Sequence, residues 1–95
     1  AEVAKPEWWN DEGLKALSAR VVRAAPNEEA ALAMRALVLS GMCGGLWEAG
    51  PRSAAELKEA ATHFDRTAAR CSAPAKKTSF ATLADWCRSE AADAM

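Results

Sequence analysis

The chain has 95 residues, 51% of them apolar and 26% charged, with a formal net charge of −1. That is one domain, 1–95, with a core of modest size. A near-neutral balance leaves no basic field to collect nucleic acid or acidic lipid, since Lys76 and Lys77 are only a local pair. About a quarter of the residues are Ala, while Ile, Tyr and Gln are absent and β-branched residues are few, so the composition predicts an all-α fold of about four helices.

Residues 1–9 read as an N-terminal extension that carries Trp8 and Trp9. They contain neither an apolar signal core nor an Arg-rich presequence, and the opening Ala1 fits a processed organellar or exported protein and a fragment equally well. Asn10 and Asp11 are suited to cap a first helix reaching about Ala25, with Leu14, Leu17 and Val21 at helical spacing and Pro26 as its stop. One of the two Trp is expected to fold back over the helix pair as an anchor.

Asn27 is the expected cap of a second, central helix. Leu32, Ala36, Leu39, Cys43 and Leu46 form its main stripe, and Met34, Leu37, Val38 and Met42 cover much of the rest. Gly50 and Pro51 are its expected end, and its uncharged part is too short to span a bilayer. Ser53 and Glu56 have capping-box spacing and predict a third helix, with Leu57, Ala60, Ala61, Phe64, Ala68 and Cys71 inward and Glu56, Glu59, His63, Asp65, Arg66 and Arg70 on the solvated side. After a turn at residues 72–77, a last helix carries Phe80, Leu83, Ala84, Cys87 and Ala91 on one face. Residues 91–95 are expected to fray.

The candidate chemistry is sparse. Cys43, Cys71 and Cys87 all fall on apolar stripes, none in a C-x-x-C or metal-finger spacing, so they read as buried thiols; a Cys71–Cys87 disulfide remains open in an oxidising compartment. His63, the one histidine, sits one turn from Glu59 on the charged face, with no orienting partner and nucleophile beside it. Gly44-Gly45 has no strand before it and no Lys-Ser/Thr after it, which excludes a phosphate loop, and the G-x-x-x-G spacing of Gly41 and Gly45 reads as close packing or a bend within a helix. No catalytic residue, metal ligand or cofactor is expected. Trp47 and Trp86 read as core or rim anchors, whereas Trp8 and Trp9 are the best candidates for a docking contact, because Trp is enriched where partners bind.

Superposing the Ala25-Pro26 turn on the Ala73-Pro74 turn lays Leu32 on Phe80, Ala36 on Ala84 and Leu39 on Cys87, all at one constant offset. This large, small, large pattern resembles the first helix of the tetratricopeptide repeat family, and Ala60 with Phe64 resembles its second. Pro26 and Pro74 stand where that family closes a repeat. The unit is longer than the family's usual period, the excess lying between Gly41 and Ser53, and Pro74 comes late relative to Phe64. The resemblance implies a right-handed array of antiparallel hairpins and a non-catalytic scaffold or accessory subunit of a larger protein assembly. Its inner face would be Ala33, Leu37 and Ser40, followed by Ala81, Asp85 and Arg88. The Lys and Asn pattern with which some members hold a terminal carboxylate is missing, so an apolar contact at Leu37 is expected instead. The alternative is a small helical thiol protein using Cys71 or Cys87.

Overall fold

A computed structural model describes residues 6–42 and 47–94. These form four α-helices and no strand: α1 Asp11–Ala24, α2 Glu29–Ser40, α3 Ala54–Arg70 and α4 Pro74–Asp93. α1 packs on α2, α2 on α3 and α3 on α4. Consecutive helices run antiparallel. Cys71, at the end of α3, reaches Glu29 at the start of α2. Lys15 in the second turn of α1 pairs with Glu56 in the first turn of α3, and the end of α4, at Glu90 and Asp93, stands beside Leu57 in that same part of α3.

Two helix starts obey the local rules. Asn10 Oδ1 accepts from the Gly13 backbone N–H at 2.8 Å, and Ser53 with Glu56 forms the complete capping box, each pair satisfying N–H groups that a helix start leaves without intrahelical partners. Immediately before α1, the chain turns so tightly that the Trp8 carbonyl rests on Gly13, where any Cβ would collide with it. Glycine at this position is what admits the Trp8–Trp9 turn against the helix.

Three boundaries depart from expectation. α2 is preceded by Glu28 rather than capped by Asn27; the Asn27 side chain instead accepts from Arg70 at 2.8 Å. α2 stops at Gly41, well before Gly50, and the Gly41 φ of 77° is the one positive value among the described residues. A left-handed glycine ends a helix by turning the chain away from the ladder, and the Arg52 guanidinium then donates to the Val38 carbonyl at 2.8 Å. Cys43 and Leu46, expected to extend the stripe, lie outside the described residues. Finally, α4 begins at Pro74 and not after a turn reaching residue 77. Proline lacks an N–H and its ring presets φ to the helical range, so it opens a helix as readily as it closes one. The helix continues to Asp93, with Ala91 buried.

The core joins Ala36 and Leu39 of α2, Ala60, Ala61 and Phe64 of α3, and Ala84 and Cys87 of α4, edged by Met42, Phe80 and Leu83. Alanines at the crossings let the helix axes approach closely, and Phe64 fills the remaining space by stacking on Phe80 at a centroid distance of 6.1 Å. α3 has a neighbour on either side, so its buried arc is wider than one stripe and takes in His63 and Thr67.

That wider arc corrects the placement of His63 on the solvated face: the residue is 8% exposed. Its Nε2 lies 3.2 Å from Glu59 Oε2, while Nδ1 is buried with no hydrogen-bond partner. Removing the ring opens a cavity but also removes an unsatisfied polar atom. His63→Ala is therefore expected to cost about 1–2 kcal/mol in urea unfolding, and His63→Leu, which keeps the volume, to match or exceed the parent.

Candidate functional site

Most of the charged residues that could have formed a reactive cluster are engaged in holding the helices together. Asp11 is the largest such junction. Arg52 donates to both of its carboxylate oxygens, at 2.6 and 2.7 Å. Trp47 Nε1–H donates at 2.9 Å and the Gly50 N–H at 3.1 Å. The Arg52 guanidinium beside Asp11 holds its carboxyl well below the usual carboxylate range, outweighing the burial that pushes the other way. Expected only as a helix cap, Asp11 instead binds the start of α1 to the connection between α2 and α3. A lone Asp at a helix start carries no sequence signal for a partner so distant along the chain.

A second cluster surrounds Arg35 of α2. Its guanidinium donates to Glu59 Oε2 at 3.1 Å, to the Lys15 carbonyl at 2.8 Å and to Ser18 Oγ at 3.0 Å, so it joins α1, α2 and α3. His63 shares the same Glu59 oxygen. Glu59 and Ser18 are thereby committed to the guanidinium, an arrangement that binds helices to one another.

The two described thiols are both free and buried, so the Cys71–Cys87 disulfide is not formed; Cys43 lies outside the described residues. Cys71 Sγ donates to Glu29 Oε1 at 2.8 Å, and this carboxylate, aided by burial, raises its pKa. Burial pushes the Cys87 thiol up to about 11. A thiolate is the nucleophilic form, and both surroundings disfavour it. In a Cys43→Ser background, both remaining thiols are expected to react with a disulfide reagent at neutral pH far more slowly when folded than in denaturant, as a timed thiol titration would read.

The residues singled out for docking occupy three separate places. Trp8 and Trp9 form a tilted ring pair, 5.9 Å between centroids, just before α1, with Trp8 50% exposed. Leu37 stands 38% exposed on α2, flanked by half-buried Ala33 and by buried Ser40. Asp85 and Arg88 are exposed on α4 and pair with each other at 3.1 Å, and Arg88 also pairs with Asp65 of α3. Arg88 is thus already bridged to its own chain.

The other flank of α4 carries Trp86, 43% exposed. With Glu90, Asp93 and Ala94 of the same helix end, and with Ser40, Arg52 and Leu57, it lines an open depression of about 300 Å³. Trp86 is therefore no core residue, and only the rim part of its expected role stands. The signal against a core position is its register, one residue short of Cys87 and two beyond Ala84, both fully buried. No group of three or more His, Cys, Asp or Glu side chains among the described residues is placed to hold a metal ion. None of the helices is long and apolar enough to cross a membrane. No protein family, curated protein or solved structure matches the chain.

Proposed function

We propose that the chain is a protein-interaction module, a tetratricopeptide-like pair of helical hairpins acting as a scaffold or accessory subunit in a larger protein assembly. The observation that carries this reading is the exposure of Trp8, Leu37 and Trp86, three large apolar side chains on a small domain. Exposed large side chains over a rigid helical base, Trp above all, provide contact area at little entropic cost, as docking hot spots do. The hairpin pattern agrees with it: Ala36 and Ala84, four residues after Leu32 and Phe80, are fully buried at the helix crossings, and Ala60 with Phe64 lies between them.

The test returns tagged full-length chain to its source extract, with cross-linking and identification of what is captured. A defined protein retained by the parent and lost with Leu37→Glu or Trp8→Ala supports the reading, since both sites are exposed and the variants should fold. A cooperatively folded chain that retains no specific protein, or retains the same proteins in every variant, overturns it.

A further inference from the structure

The charges at the two ends of α4 oppose its own macrodipole. Lys76 and Lys77 occupy the first turns, where the helix end is partially positive, and no acidic residue offsets them there. Glu90 and Asp93 occupy the last turn, where the end is partially negative, and no basic residue offsets them. Among the described residues, no ion pair engages Lys76, Glu90 or Asp93. An arrangement unfavourable within the isolated helix becomes favourable beside a second helix of the same sequence running the other way.

The register of the exposed flank matches that arrangement. Lys76, Ser79, Leu83, Trp86, Glu90 and Asp93 follow one another at steps of 3, 4, 3, 4 and 3, the spacing of a helix–helix seam. All are exposed except Leu83, which is partly covered at the edge of the core. In an antiparallel pair related by a two-fold axis, the numbers of facing residues have a constant sum, and these six positions satisfy that condition with none left over. One register therefore places Lys76 against Asp93, Ser79 against Glu90 and Leu83 against Trp86, twice each.

We infer that α4 is the contact surface for a second copy of this chain, in a two-fold antiparallel pairing that seats Lys76 of each copy in the depression rimmed by Trp86, Glu90 and Asp93 of the other. The depression suits a cationic side chain: an indole and two carboxylates line it. Its own cation, Arg52, is held in a bidentate pair with Asp11. The pairing is isologous, so both depressions fill at once and the assembly closes as a dimer. A seam of one helix from each copy is small, which places the dimer among weak, reversible associations whose strength falls as salt rises. The inference extends the interaction-module reading by naming the occupant of one of its three contact points, and it leaves Trp8 and Leu37 for other proteins.

Charge reversal tests the pairing register. In a Lys76→Glu homodimer each seam end sets Glu against Asp, and in an Asp93→Lys homodimer Lys against Lys. Mixed in equal amounts, the two variants form a heterodimer with an opposite-charge pair at both ends. By sedimentation equilibrium of the full chain, the parent is expected to dimerise reversibly, with each single variant weakened about tenfold or more. The equimolar mixture should recover association close to the parent's, and Trp86→Ala should weaken it too. Both charge changes lie at exposed positions and favour the α4 macrodipole, so helicity by circular dichroism should be retained. A parent that stays monomeric to millimolar concentration, single variants that associate as the parent does, or a mixture that fails to recover would each overturn the inference. A monomeric parent that still captures a protein through Leu37 overturns only this pairing, whereas a dimer that captures nothing overturns only the assembly reading.

Discussion

Leu39→Asp is expected to abolish cooperative folding. Leu39 is buried at the meeting of α2, α3 and α4, in the same cluster as Ala36, Phe64 and Cys87. A carboxylate there would lose its hydration with no cation in the cluster to pair with. Burying an unpaired charge and losing the leucine packing together cost more than about 3 kcal/mol, against a total stability of about 5 kcal/mol for a domain of this size. Far-UV circular dichroism during urea titration reads the outcome: a shallow, non-sigmoidal loss of helicity is expected. A variant that keeps the parent's midpoint would mean that α2 is not central.

The second large effect belongs to Asp11. Asp11→Ala leaves the Arg52 guanidinium, its side chain 5% exposed, without its bidentate partner and removes the acceptor of the Trp47 and Gly50 N–H groups. Breaking one side of such a pair costs about 3–5 kcal/mol, because the charge left behind is still desolvated. Replacing both members by apolar residues of similar size should recover much of that loss, and equilibrium unfolding of the single and double variants separates the two cases.

The same group governs the acid limb of stability. The folded-state pKa of Asp11 lies below its unfolded value, so the folded chain binds its proton less readily than the unfolded chain does. Its contribution is complete above the ordinary carboxylate range and is lost as pH falls through that range toward the depressed value. Glu56, lowered chiefly by the Lys15 ammonium and then by the Ser53 N–H, acts in the same direction. Urea midpoints are expected to be flat around neutrality and to fall between about pH 4.5 and 2. In the doubly apolar variant of residues 11 and 52 the fall should be shallower.

Where a boundary depends on groups a few residues apart, the sequence is a sufficient guide: Asn10 with Gly13, and Ser53 with Glu56. The inward faces of α3 and α4 are legible for the same reason, since helical periodicity places Leu57, Phe64, Ala84 and Cys87 without knowledge of their neighbours. Gly41 gives no clear stop signal, because apolar residues continue beyond it and a stronger one stands at Gly50-Pro51. Pro74 reads as part of a turn because proline serves both as a terminator and as a first helical residue. His63 reads as outward because a polar residue among charges looks solvated, and only a helix covered on two sides buries it.

The candidate contacts divide along similar lines. Trp8 and Leu37 are identifiable as large apolar residues off the main stripes, and both are exposed. Asp85 and Arg88 are exposed as well, but Arg88 is engaged by Asp65 of α3, a pairing between helices that chain order does not reveal. The seam on α4 escapes a search for apolar periodicity, because only the central two of its six positions are apolar.

The helices at either end of the array, α1 and α4, each pack chiefly on one neighbour, but they are held differently. α4 buries Ala84, Cys87 and Ala91, whereas much of what ties down α1 is polar: the Asp11 junction, Lys15 with Glu56, and Ser18 with Arg35. Amide protons of α1 should accordingly exchange with solvent at a lower opening free energy than those of α3, through an excursion in which the first helix lifts away while the other three stay folded. Acid, by discharging the Asp11 carboxylate, would raise the population of that partly opened form before the rest of the domain yields.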